Sequence, residues 1–459
     1  MLMKNPRCAG RRIVLAMLMC GTGLLGTYAM RAQNSAPLPL TLSQAIDLAL
    51  KQNRSLQLAR LAVSESEYKK EIARSAYFPQ IKNESSLLHV TELAGVEIPA
   101  GTFGLPAATG PIPAKSLFIG QGSATTYTSG TGLAQPLTQM FKIHESNRAA
   151  AADINTAKIQ LNEAENEIAL KVRQLYYGLL IAQLRLQAAT EEVNACQVKV
   201  QESADAVAQG RALDVAVLES RAALLDARQT ALTESLQIHD LTLILEDVLG
   251  LPLNSQIQLD ADTAAGTISL PNREDAIRTA RQQSPEIRVA QQAVFKAKAG
   301  LAAAKDAYIP DVTGLARYSY QSGVPLLVHN FGTFGVAFSF ELFDGGRRTG
   351  EIRDSRTLLS EAELNLAKVE DEVAVRVETA YDKVEQVQSM VEVAEEAFGV
   401  RTEAARLADR QYEQNAALVS ARDEAHAKAS SAKASFLEAT LALSLAQGEL
   451  KRTIGQMPQ

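Results

Sequence analysis

The side chains that could do chemistry are few and dispersed. His89, His144, His239, His329 and His426 share no zinc-like spacing. No Gly-rich loop leads into a Lys as a phosphate cradle would. The acids read as helical surface rather than as a catalytic pair, and Asp344-Gly345-Gly346 reads as a turn. Cys196 falls in a seven-residue apolar row, which suits a buried structural thiol better than a reactive one. The chain is therefore expected to be no enzyme, with no cofactor and no metal.

What remains to explain is a long chain of 459 residues, rich in Ala, Leu, Gln and Glu, without Trp and with only 5% aromatic residues. That composition favours long helices over one compact core. Residues 1–32 read as a secretory signal: Lys4, Arg7, Arg11 and Arg12 precede an apolar run, with cleavage expected after Ala29 or Ala32. Met19 before Cys20 argues against a lipoprotein signal. Removal of this segment takes five basic residues and leaves 41 basic against 52 acidic side chains, a net charge of -11. Such a chain has no basic face for nucleic acid. Cys196 would then be the one remaining cysteine, so no internal disulfide is expected. No later segment reads as a transmembrane helix.

Two internal shifts organise everything after the signal. A shift of 231 lays residues 41–81 over 272–312, so that Ala45, Ala49, Tyr77 and Pro79 meet Ala276, Ala280, Tyr308 and Pro310. A shift of 205 lays 137–250 over 342–455, where Arg148, Tyr176, Gln209 and Gly250 meet Arg353, Tyr381, Gln414 and Gly455. The shifts differ by 26 residues, so the first copy carries an insertion, and the Gly/Pro-rich stretch 95–122 is expected to be that long loop. Thr41 and Asn272 are expected helix N-caps, while Pro79 and Pro310 end helices.

The expected organisation is a first repeat over 33–250, a linker over 251–271 and a second repeat over 272–459. In the first, strands at about 81–93 and 119–137 precede a long helix over 141–209 and a return helix over 213–250. In the second, strands at about 311–321 and 333–343 precede a long helix over 347–413 and a return helix over 417–455. Ile154, Leu161, Ile168, Leu175, Ala182, Ala189 and Cys196 recur every seven residues, and Leu359, Leu366, Val373 and Ala380 repeat the row. This period specifies helices packed along seams, and at 1.5 Å per residue they reach on the order of 100 Å. Phe334, Val336, Phe338, Phe340 and Leu342 alternate with small or polar residues, a pattern that fits a membrane barrel strand and equally a sheet half-buried in a soluble domain. Four strands cannot close a barrel, and open edges are prohibitive in lipid, so several chains must combine.

This layout resembles the TolC-like outer membrane efflux proteins. The resemblance is carried by Leu40-Thr41-Leu42-Ser43-Gln44-Ala45-Ile46, by Ala76-Tyr77-Phe78-Pro79-Gln80-Ile81 with its copy Ala307-Tyr308-Ile309-Pro310-Asp311-Val312, and by Leu342-Phe343-Asp344-Gly345-Gly346-Arg347. It spans nearly the whole exported chain. It implies a mainly α fold with a small β part: a homotrimer whose twelve strands form a barrel in outer-membrane lipid above an α-helical periplasmic tunnel. It implies a periplasmic adaptor protein and an inner-membrane pump that supplies the energy, with residues 251–271 in an equatorial belt.

The resemblance also makes the hairpin turns the periplasmic tips. Gly210, Arg211, Ala212, Leu213 and Asp214 would dock the adaptor with Asn415, Ala416, Ala417, Leu418 and Val419. Gly210 and Asn415 suit a left-handed helix end. Asp423 and Glu424 are the acids nearest the second tip and the candidate pore gate, since three copies of one acid would ring a pore and attract cations. The expected function is a passive conduit for small-molecule efflux. A type I protein secretion channel and a periplasmic or secreted coiled-coil scaffold are the alternatives.

Overall fold

The computed structural model describes residues 38–92, 94–120, 122–253, 255, 257–260, 272–323 and 328–456. The signal segment expected over 1–32 and most of the 251–271 linker lie outside the described residues. In the first repeat, β1 (Leu38–Leu40), α1 (Leu42–Gln52) and α2 (Arg54–Ser75) lead to four strands: β2 (Gln80–His89), β3 (Gly95–Ile98), β4 (Leu117–Gly120) and β5 (Thr125–Pro136). The long helix α3 (Met140–Ala208) and its return α4 (Asp214–Leu249) follow, then β6 (Ile257–Leu259). The second repeat holds α5 (Arg273–Gln283), α6 (Pro285–Lys305), β7 (Asp311–Ser322), β8 (Asn330–Ser339), α7 (Arg347–Glu413) and α8 (Val419–Ile454).

Local chemistry explains the helix ends. Thr41 and Gln44 form a reciprocal capping box on α1. Asn53 turns the chain between α1 and α2, accepting from the Ser55 and Leu56 amides while its Nδ2 donates to the Val248 carbonyl at 2.9 Å. Asn272 differs from expectation: it occupies the N-cap of α5 without a side-chain capping bond. Arg273 beside it instead reaches Glu378 and Asp382 of α7 and lies over the Tyr381 ring. The four hairpin and return ends share one device. At Gly210, Gly250, Asn415 and Gly455, φ is positive. Each amide there bonds three residues back, and the next amide bonds five back, as in Gly210 to Val207 and Arg211 to Ala206. This is the Schellman arrangement, which satisfies carbonyls a helix end would leave orphaned.

The helices form a ribbon rather than a ball. Residues in the first half of α3 meet α2 and α6, through Asn147 to the Ala73 carbonyl and Lys296 to Asp153. Residues in its second half meet α8, through Arg185 to Glu438 and Ser430 to Glu191. Contacts across the return hairpins set the order α4–α3–α8–α7. Apolar burial concentrates where the short helices cross the long ones. One cluster joins α1, α3 and α4 around Tyr176, and its counterpart joins α5, α6, α7 and α8 around Ile287, Val377 and Leu450. The Tyr176 hydroxyl donates to the carbonyls of Leu40 and Asp260, tying the parallel β1–β6 pair to α3.

The strands build one antiparallel sheet in the order β2-β5-β7-β8, so the two repeats join at β5–β7. Three boundaries differ from the sequence expectation. The strand expected at 333–343 runs over Asn330–Ser339, because Asp344 and Gly346 already turn the chain into α7. The strand expected at 119–137 is split: Leu117–Gly120 leaves the sheet and only Thr125–Pro136 belongs to it. The stretch expected to be a plain loop over 95–122 contains a separate ribbon in which β3 pairs with β4.

Candidate functional site

Two places could act on a passing molecule or a partner: the sheet and the helix tips. The register puts Ile81, Leu133, Ala316, Tyr318, Phe334 and Val336 on one face of the sheet. Phe334 is 92% exposed, as expected of a residue built to face something other than this chain. The opposite face carries Lys82, Glu84, Gly130, Gly132, Arg317 and Thr333 around an open hollow of about 480 Å³. Arg317 crosses β5 to reach Glu84 at 3.9 Å. Gly130 makes this possible, since a Cβ there would stand 2.5 Å from the Arg317 Nε. One face therefore carries the apolar side chains, interrupted by the bonded pairs Asn83–Thr131 and Ser85–Ser129, and the other carries the charges, with β2 and β8 left as open edges. Alternation between an apolar and a polar face is the pattern of outer-membrane strands.

At the sheet-to-helix corner the chain is held by ions rather than by packing alone. The Asp344 carboxylate accepts from the Gly346 and Arg348 amides and pairs with the Arg348 side chain at 3.0 Å. Those amide bonds, the one from Arg348 foremost, hold the Asp344 carboxyl below its ordinary range. Arg348 is buried between the Tyr308 and Phe340 rings. Its structural role is absent from the first repeat, where Ile143 stands at the equivalent position, and the repeat comparison offered no signal for it.

The tips are well formed but sparsely bonded. Gly210 to Asp214 and Asn415 to Val419 form the two turns, with Leu213 77% and Leu418 64% exposed. The candidate gate acids are brought close to the second tip, yet neither stands as a free charge. Asp423 accepts from Arg422 at 2.7 Å, and Arg422 also lies over the Tyr412 ring. Glu424 is paired with Lys428, whose hydrogen bond holds the Glu424 carboxyl below its ordinary range. The site beside them is tied across helices: the Ser420 amide and hydroxyl both donate to Glu202 of α3, and His426 meets Asp409 of α7 at 2.9 Å.

Cys196 is buried in the α3 seam with its thiol near Glu192, and burial foremost pushes that thiol above its ordinary range. Among the described residues no cluster of three His, Cys, Asp or Glu side chains could hold a metal ion. No described helix is long and apolar enough to cross a membrane.

Comparison with known proteins places this geometry. The chain is 25% identical over 387 residues to the outer membrane efflux protein BepC of Brucella suis biovar 1 (strain 1330), covering 83% of this chain and 75% of that protein. The Campylobacter jejuni CmeC outer membrane channel superposes with a TM-score of 0.71 at 16% identity, over 90% of this chain and 85% of that one. The outer membrane protein VceC of Vibrio cholerae superposes at 0.69 and 16% identity, over 90% and 96%. The fold is thus that of the TolC-like channel-tunnels: mainly α, with a small β part. The outer membrane efflux protein pattern matches residues 45–251 and 276–456, and the chain belongs to the outer membrane efflux protein family.

Proposed function

We propose that this chain is one protomer of a homotrimeric, passive export channel for small molecules, seated in outer-membrane lipid with its helices reaching into the periplasm. The single observation that supports this most strongly is the four-stranded sheet. It has a largely apolar face on β7 and β8, a charged opposite face and two open edges, and it sits at the end of helices 69 and 67 residues long. Exposed edges are untenable in lipid unless other copies close them. Three copies give twelve strands, within the range of outer-membrane barrels. A scaffold protein would have no use for such a sheet.

A periplasmic adaptor docks at the turns 210–214 and 415–419, and an inner-membrane pump supplies the energy. The gate lies at Asp423 and Glu424, with Arg422 and Lys428 as their paired cations. Fractionation of the cells tests this reading. The protein is expected in the detergent-extracted outer membrane, as an oligomer that a gel shows before heating and loses after it. Recovery as a soluble periplasmic monomer would overturn it.

A further inference from the structure

The charged face of the sheet is unevenly covered. Lys82, Gly132, Arg317 and Thr333 stand side by side in one row across β2, β5, β7 and β8. Neighbouring strands lie about 4.8 Å apart, so the backbones of the two cations stand roughly 10 Å apart with bare Gly132 between them. Arg317 leans away from this gap. A Cβ at Gly130, one row further from the helices, would stand 2.5 Å from the Arg317 Nε, whereas a Cβ at Gly132 would meet nothing within 4 Å. Toward the helices the next row on this face is Gln80, Ala134, Leu315 and Gly335, and a Cβ on Gly335 would also meet nothing within 4 Å. The hollow therefore has a floor of bare backbone, a cationic side and a low apolar shelf at Leu315.

Hydrogen-bonding capacity says what such a hollow would hold. Arg317 meets Glu84 through one nitrogen, at 3.9 Å. The Lys82 ammonium, the Gln80 amide and the Thr333 hydroxyl have no side-chain partner among the described residues. A Lys brings three donors and an Arg five, and neither brings an acceptor. Against them the lining offers one carboxylate, Glu84. Charge agrees with this count. The Lys, Arg, Asp and Glu side chains of the four strands are Lys82, Glu84, Asp311 and Arg317, and Asp311 is taken up by Lys142 at 3.8 Å. The hollow keeps one positive charge in excess, in a chain whose net charge is -6. An oxyanion matches both demands, since it accepts from several donors at once and meets the excess charge. The shelf at Leu315 suits a compact apolar body on the same molecule.

We propose that this hollow binds organic anions, with a carboxylate between Lys82 and Arg317 and an apolar body against Leu315, and that the conduit carries cargo of this class. This rests on the homotrimer reading, in which the largely apolar face meets lipid and the charged face lines the lumen. Three copies then set three such sites around the lumen, and a ring of like cations draws anions. Asp423 and Glu424 lie beside the tips, at the far end of α7 from the sheet, and take no part in this site.

The test uses the full chain, extracted in detergent, and two probes with one ring and opposite charge, benzoate and benzylammonium. Saturation-transfer NMR is expected to show benzoate bound and benzylammonium free. Lys82→Gln is expected to weaken benzoate on the order of fivefold, the size of a solvent-screened charge contact, and Lys82→Arg is expected to keep it. Gly132→Leu fills the gap without changing charge and is expected to abolish benzoate binding. In a planar bilayer under a KCl gradient, Lys82→Glu is expected to shift the reversal potential toward that of cations, and Gly132→Leu to leave it in place. Three results would overturn the anion site while leaving the channel reading standing: equal binding of both probes, benzoate binding that neither Lys82→Gln nor Gly132→Leu reduces, or a reversal potential that Lys82→Glu does not move. An oligomer that carries no current overturns the channel and with it the cargo.

Discussion

Gly455 lies so close to Gln283 that a Cβ on the glycine would stand 2.4 Å from the Gln283 carbonyl oxygen. The same contact recurs in the other repeat, where a Cβ on Gly250 would stand 3.0 Å from the Gln52 carbonyl. Both glycines end a return helix at positive φ, and both meet the end of the short helix that opens their own repeat. Gly455→Ala therefore adds backbone strain to a steric clash and is expected to cost about 1–3 kcal/mol. Gly250→Ala, with more room, is expected to cost less. The order of the two thermal unfolding midpoints checks this.

Tyr176 gives its hydroxyl to two carbonyls that lie on different strands, Leu40 at 3.0 Å and Asp260 at 2.7 Å. Tyr176→Phe keeps the ring in its cluster and abandons both acceptors, a loss of about 1–3 kcal/mol. Hydrogen exchange is expected to quicken in the β1–β6 pair while the amides of α3 stay protected. Equal quickening along α3 would mean that the hydroxyl supports the helix rather than the strands.

Asp344 gives the sheet-to-helix corner a pH dependence with a definite sign. Its carboxyl is held below the ordinary range in the folded chain, foremost by the Arg348 amide. A depressed carboxyl stabilises above its unfolded pKa, and that contribution is lost as pH falls through the folded value. The thermal midpoint of the natural protein is therefore expected to drop more steeply on acidification than that of Asp344→Asn. Parallel curves would show that the carboxylate contributes nothing at this corner.

Cys196 is expected to resist iodoacetamide at neutral pH while the chain is folded and to react once it is denatured. Burial both shields the thiol and raises the pH needed to form the reactive thiolate. Rapid alkylation of the folded protein would contradict its place in the seam.

The gate reading makes its own demand. Asp423→Asn removes one negative charge and leaves the Arg422 cation at the tip unneutralised, a net change of one unit. Block of the channel by added cations is expected to weaken in single-channel recordings, and an unchanged block would remove Asp423 from the gate.

The helical frame was legible because its signals are periodic and local. The row through Leu175, Ala182, Ala189 and Cys196 is buried, and so are Val373 and Ala380 in the repeated row. Positive φ at Gly210 and Asn415 followed from residue type. What stayed hidden depends on contacts distant in sequence or on very short elements. β1 and β6 have three residues each, too few to show a period. The β3–β4 ribbon was obscured by Pro99, Pro106, Pro111 and Pro113, although the apolar run Leu117-Phe118-Ile119 is a strand signal. The cations beside Asp423 and Glu424 stand one and four residues away, but only the fold shows which of many neighbouring Arg and Lys they choose. Arg273 holds the start of α5 through Glu378 and Asp382, and Arg348 lies between Tyr308 and Phe340, contacts that residue type alone does not show.

The most direct test of the central claim is a conductance measurement on the detergent-extracted protein added to a planar lipid bilayer. Discrete, uniform current steps from the oligomer, absent when the same sample has been heated to monomers, are the expected result. A stable oligomer that inserts into the bilayer and carries no current would contradict the export channel.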